Sequence, residues 1–179
     1  LDITCRIDNE EVLDHLPEGS FVTISNHPFG ALDGVIIIKQ IASRRPDYKV
    51  MVNWILSYIK AMSDNFIAVD PYSNPDHRIV SLNGIREALM QVKNGHPLGF
   101  FPAGAVSRLK WSLKIEDREW QPNIIRLIQQ IKKPVIPVYF HGHNSLLYNL
   151  LGLISWQLRA MRLPAEVFKK EHKTIHLTV

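Results

Sequence analysis

Short apolar runs alternate along this chain with longer stretches in which apolar and polar positions mix. The runs at residues 20–25, 48–53, 66–69, 98–101 and 135–140 are short enough for buried strands and are bounded by turn chemistry such as Pro17-Glu18-Gly19. Between them the periodicity predicts helices. One covers 8–16 with Val12, Leu13 and Leu16 at helical spacing, and one covers 32–44 with Arg44-Arg45-Pro46 as its stop. A short one over 54–62 is rich in large apolar side chains and offers a wall for an acyl channel, or ordinary core packing.

A longer helix is predicted over 76–93, after the turn-rich Pro71 to Pro75 and with Asn74 or Asp76 as cap. Ile79, Leu82, Ile85, Leu89 and Val92 share one of its faces, and Asn94-Gly95 closes it. Residues 111–120 alternate like an exposed hairpin arm or lid, and 123–131 form another amphipathic helix. From Ser145 to Leu163 the chain is strongly apolar, with Tyr148, Trp156, Arg159 and Arg162 interspersed. That composition fits a membrane-surface helix or a core-covering one; Gly152 weakens either, and Pro164 is expected to break the run before a short last helix and a final strand. Strands alternating with helices predict an α/β sandwich, a mixed and mostly parallel central sheet flanked by helices.

The 179 residues are enough for one sizeable core, so 1–179 is read as one domain. Leu1 in place of Met and a strand-like end lead us to expect a piece of a longer chain. An apolar content of 46% with 21% charged residues excludes a disordered chain. The single cysteine, Cys5, lies before the first predicted strand; it rules out an internal disulfide and points to a reducing compartment. A net charge of +4 suits an acidic partner such as anionic lipid, acyl carrier protein or nucleic acid, and no apolar run approaches the length of a spanning helix.

The candidate chemistry centres on Ser25-Asn26-His27-Pro28-Phe29-Gly30-Ala31-Leu32-Asp33-Gly34. His27 falls just past a predicted strand end and Asp33 at the opening of a helix, where open α/β sheets usually place their sites. A carboxylate that holds one ring nitrogen leaves the other free to take a proton from an attacking hydroxyl or amine. Asn26 and Gly30 permit a sharp turn, and Pro28 stiffens it. Gly99 to Arg108 supplies a Pro102-Ala103-Gly104 turn whose backbone N–H groups can face an oxyanion or a phosphate, with Arg108 and Lys110 beside it. His141 and His143 have no Cys, Asp or Glu at ligand spacing, so no metal is expected, nor any cofactor.

In order and spacing, Asn26-His27 with Asp33, the Phe101-Pro102-Ala103-Gly104 block with Ser107, and Val135-Ile136-Pro137-Val138 resemble the blocks of the glycerolipid and lysophospholipid acyltransferase family, over roughly residues 20 to 140. There are departures. Five residues separate His27 from Asp33 where that family has four, Ala103 stands at a Glu position, and Val106 and Val69 stand where arginines would grip an acceptor phosphate. Arg108 or Arg78 could substitute, but neither is at a motif position. The pattern is more similar to the divergent bacterial, hemolysin-labelled branch, whose members include acyltransferases for amino-acid-containing lipids.

The resemblance implies an O-acyltransferase that moves a fatty acyl group from acyl-CoA or acyl carrier protein to a lysophospholipid or lyso-amino-acid lipid. His27 and Asp33 would be catalytic; Asn26, Phe101, Pro102, Ala103, Gly104, Ser107 and Arg108 would contact substrate. It further implies a cytoplasmic protein, peripheral at the inner membrane, with no nucleic-acid partner. With no Gly-x-Ser-x-Gly nucleophile present, direct attack on the thioester is expected. A hydrolase using the same pair on water, or a silent lipid-binding domain, remains open. The separation of His27 from Asp33, and an apolar tunnel beside them, discriminate among the three.

Overall fold

A computed structural model of the chain describes residues 2–54, 56, 60–70 and 78–179. The predicted acyl-channel segment at Ile55 and 57–59, the turn-rich 71–75, the caps Asn74 and Asp76, and the Arg78 side chain lie outside what is described.

Among the described residues, seven strands form one sheet: β1 (Thr4–Asp8), β2 (Val22–Ser25), β3 (Lys49–Asn53), β4 (Phe66–Val69), β5 (Leu98–Phe100), β8 (Val135–Phe140) and β9 (Thr174–Thr178). Their order is β1-β9-β8-β2-β5-β3-β4, and every neighbouring pair is parallel except β8 with β9. The small pair β6 (Arg108–Leu109) and β7 (Ile115–Glu116) stands apart as an antiparallel hairpin, as the alternation over 111–120 predicts. The helices are α1 (Glu11–Asp14), α2 (Ala31–Ala42), α3 (Arg78–Lys93), α4 (Pro122–Ile131), α5 (Leu146–Ile154) and α6 (Trp156–Phe168). This is the expected α/β architecture with a mixed, mostly parallel sheet.

Because strands present alternate residues to opposite faces, the sheet carries two cores. Val50, Val52, Ile136, Val138 and Phe140 pack with Ile36, Ile37 and Ile41 of α2 on one face. Met51, Val22 and Leu98 pack with Val92 of α3 and Ile128 of α4 on the other. A buried hydrogen bond of 2.6 Å between Thr23 Oγ1 and Tyr48 Oη fastens the strand β2 to the turn before β3.

Three expectations are corrected. Cys5 does not precede the first strand but lies in β1, whose pairing with β9 joins residues some 170 positions apart in sequence, a contact that local pattern does not carry. In α3 the five residues of the apolar stripe do not share one environment: Ile79, Leu82, Ile85 and Leu89 are exposed, while Val92 is buried together with Ala88. Gly84 decides this, because a Cβ there would stand 2.3 Å from the Ala68 carbonyl oxygen, so the helix sits on β4 by its small residues. The run after Ser145 breaks at Ser155, not at Pro164. Ser155 is extended at φ −156°, its N–H donates to the Leu151 carbonyl and its Oγ accepts from Gln157 N–H, so it ends α5 and caps α6. Helix α6 runs on through Pro164, forgoing one backbone bond.

Candidate active site

Strand β2 pairs in parallel with both β5 and β8, so the carboxyl ends of the three lie together. The chain leaves β2 in one direction across β5 and β3, and β8 lies on its other side, which makes this the crevice where α/β sheets bind ligands. His27 follows β2 and Phe101 follows β5; their rings are 4.5 Å apart between centroids.

Asp33 sits in the first turn of α2 and is fully buried. Its Oδ2 accepts from the backbone N–H groups of Phe29 (2.9 Å) and Gly30 (3.0 Å) and lies 3.0 Å from His27 Nδ1. The ring N–H is angled off that line, so the pair is in contact without a fully formed hydrogen bond. Catalytic hydrogen bonds commonly align only with substrate in place. Burial pushes the Asp33 carboxyl above its ordinary range, opposed by His27 and by the Phe29 and Gly30 donors. The Lys170 ammonium is buried 4.8 Å from the Phe29 ring centroid and donates to Asn144 Oδ1 and the Glu166 carbonyl. Burial pulls Lys170 below its ordinary range, while the charges of Glu166 and Asp33 oppose the shift.

A second set of contacts ties the His27 loop to the segment after β5. Asp117 Oδ1 accepts from His27 N–H (3.1 Å) and from the Ser107 hydroxyl, and Ser107 N–H donates to the His27 carbonyl (2.9 Å). Arg159 of α6 donates to the carbonyls of Val106 (3.1 Å) and Ser107. The sequence reading did not connect Asp117, Arg159 or Lys170 to the site, since each acts through contacts distant in sequence and none stands in a motif.

An apolar cavity of about 650 Å³ opens beside the pair. His27, Gly34, Val35, Leu56, Leu82 and Phe101 contribute to its wall, so Leu56 brings part of the predicted acyl-channel segment to it. Val69, at one of the arginine positions of the resembling family, also lines it, and among the described residues no Arg or Lys does. One carboxylate residue, Asp70, does.

Of the predicted substrate contacts, Phe101 and Gly104 reach this cavity; Asn26, Pro102, Ala103, Ser107 and Arg108 are not part of its wall. The Asn26 amide is committed to Phe140, donating to its carbonyl (2.9 Å) and accepting from its N–H (2.7 Å), which locks β2 to β8. Pro102 and Ala103 are buried, and Gly104 N–H already donates to the Phe101 carbonyl at 2.9 Å. The turn therefore has few donors left for a substrate oxygen. Arg108 is exposed on the hairpin.

Away from the cavity, His141 joins Asp8 and His176, with ligand-type atoms within 4.8 Å of one another. His176 Nε2 is 2.7 Å from Asp8 Oδ2, His141 Nε2 is 2.8 Å from Thr178 Oγ1, and the imidazoles stack at 4.1 Å. Sequence spacing missed this grouping because its members come from β1, from beyond β8 and from β9.

The chain belongs to an acyltransferase family, whose pattern matches residues 3–178. It is similar to a lyso-glycine lipid O-acyltransferase of Bacteroides thetaiotaomicron, with 31% identity over 175 residues, covering 93% of this chain and 62% of the relative. A lyso-glycine lipid O-acyltransferase of Phocaeicola vulgatus is 27% identical over 175 residues, covering 93% of this chain and 61% of the relative. The chain thus spans about three fifths of the length of these curated relatives.

Proposed function

We propose that this chain carries the transfer site of an O-acyltransferase that moves a fatty acyl group from a thioester, acyl-CoA or acyl carrier protein, to the hydroxyl of a lyso-amino-acid lipid. The observation that carries the reading is the His27–Asp33 contact of 3.0 Å on the wall of an apolar cavity large enough for an acyl chain. Asp33 fixes the His27 tautomer, and Nε2 takes the acceptor hydroxyl proton as its oxygen bonds to the thioester carbon. When the C–S bond breaks, the imidazolium returns that proton to the departing thiolate, leaving an ester and a free thiol. The step so written requires no metal or tightly held cofactor.

The described lining of the cavity supports this acceptor class. A phosphate monoester is normally held by guanidinium or ammonium groups, and Val69 stands in this wall at one of the family's arginine positions. An uncharged or zwitterionic headgroup fits better, in keeping with the lyso-glycine lipids named for the two relatives. The lipid nature of the acceptor implies work at a membrane surface; no described helix is long and apolar enough to cross one.

The test is to incubate the protein with acyl thioester and either a lyso-glycine lipid or glycerol 3-phosphate. Thiol release coupled to acylation of the lyso-lipid is expected, with little product from glycerol 3-phosphate. Release of free fatty acid alone assigns a hydrolase, and no turnover with either acceptor assigns a silent lipid-binding domain.

A further inference from the structure

Helices α5 and α6 have their polarity turned inside out. The inward side of α5 buries Tyr148 and Asn149, while Leu146, Leu147, Leu150, Leu153 and Ile154 are exposed at the i, i+1, i+4, i+7, i+8 spacing of one face. In α6 the buried residues are Arg159 and Glu166, whereas Trp156, Leu158, Met161 and Phe168 are exposed. Each inner polar side chain makes at least one contact, although among the described residues Asn149 Oδ1 and Arg159 Nε have no hydrogen-bond partner. The Arg159 guanidinium lies 4.6 Å from the Tyr148 ring centroid, and Glu166 accepts from Ser145 N–H and Ser145 Oγ, both at 2.8 Å. Gly152 makes room for this, since a Cβ there would meet Arg159 Cδ at 2.7 Å. A helix pair facing water would carry the opposite pattern.

The apolar face is continuous with a second exposed element. Helix α5 packs against β6, and the β6–β7 hairpin tip carries Trp111 at 94% exposure and Leu113 at 83%. Charge around the face is mainly positive. Residues 146–168 contain a single carboxylate, Glu166, which is buried and 3.1 Å from Lys169 at the end of α6, while at the hairpin tip Lys114 is exposed and Lys110 pairs with Glu116 of β7 at 2.6 Å. Exposed aromatics, an apolar helix face and a cationic fringe together match the interface of an anionic bilayer.

We propose that α5, α6 and the β6–β7 hairpin tip dock on an anionic phospholipid surface. This rests on the lipid-acceptor reading for its purpose: the face adjoins the site, because Arg159 holds the carbonyls of Val106 and Ser107, and Ser107 in turn holds the His27 carbonyl. A bilayer under this face would therefore lie against the segments that hold the His27 loop. A second copy of the chain on this face would bring like-charged fringes together.

The experiment measures sedimentation with vesicles of phosphatidylcholine alone and of phosphatidylcholine mixed with phosphatidylglycerol, together with tryptophan emission. Binding to the mixed vesicles, weakened by salt and accompanied by a blue shift, is expected. The double variant Ile154→Ser/Met161→Ser should bind about tenfold more weakly or worse, since each side chain removes apolar area from the contact. Both positions are exposed, so circular dichroism should be unchanged, and Trp111→Ser supplies an independent second variant. Equal binding by wild type and both variants, or no binding by wild type, would overturn the proposal. So would a dimer that the double variant dissociates while vesicle binding persists. The functional reading fails separately: His27→Ala should lower transfer by about a hundredfold or more and leave vesicle binding intact. Vesicle binding by a protein without transfer activity would sink the reading of function and leave the surface standing.

Discussion

His27 Nδ1 and Asp33 Oδ2 lie 3.0 Å apart although five residues separate them, and the loop between them turns at Gly30. Gly30 adopts φ 84° and ψ −135°, a conformation side-chain-bearing residues rarely take, and so turns both its own N–H and that of Phe29 onto Asp33. The aspartate is at once the helix-start acceptor for α2 and the partner of the histidine.

His27→Ala should lower kcat/KM for acyl transfer by about a hundredfold to ten-thousandfold, the usual contribution of a positioned general base. Asp33→Asn should fall in a similar range, because the ring loses the group that selects its tautomer. A thiol-release assay with matched circular dichroism spectra measures both. Wild-type rates in either variant would remove the pair from the mechanism.

The pH dependence follows from the burial of Asp33. Its folded pKa is raised above the ordinary 3.8, so the folded state keeps a proton that the unfolded chain releases. The stability this contributes is complete below the ordinary value and is lost as pH rises through the raised one. Denaturation midpoints should therefore show wild type losing stability over that window relative to Asp33→Asn. Transfer, which needs the carboxylate, should rise across the same window; parallel stability profiles for the two proteins would contradict this assignment.

Gly30→Ala should destabilise the fold by about 1–3 kcal/mol, the typical cost of a strained backbone position. A Cβ there would also press on Leu163 at 3.1 Å and Val106 at 3.3 Å, so α6 and the loop before β6 must yield. Urea denaturation gives the stability loss, and the displaced loop should reduce kcat as well.

Gly34→Leu tests the cavity. Gly34 lines it, sits within α2, and a Cβ there meets nothing within 4 Å. The helix should gain about 0.5–1 kcal/mol, because glycine is a poor helix former. The added side chain should shorten the preferred acyl chain, read from kcat/KM across thioesters of increasing length. Unchanged length preference would place the acyl group elsewhere.

Tyr48→Phe leaves the buried Thr23 hydroxyl without its 2.6 Å partner, and the loss should be about 1–3 kcal/mol in urea denaturation with little effect on KM.

The sequence by itself determined the elements and the place of the pair. Apolar runs such as Val135–Phe140 and the amphipathic stretch of α4 announce strand and helix because burial imposes a local period. His27 and Asp33 were legible because both lie on one strand-to-helix turn. The tertiary structure alone decided whatever depends on packing between distant segments. It put β1 beside β9, turned the leucine stripe of α3 away from the core, and committed Asn26 to the Phe140 backbone. It also brought Asp117 and Arg159 to the His27 loop and set the leucines of α5 outward, with Tyr148 and Asn149 inside. Amphipathic period says that a helix has two faces; only the neighbours that fill or vacate the space beside it decide which face meets the protein.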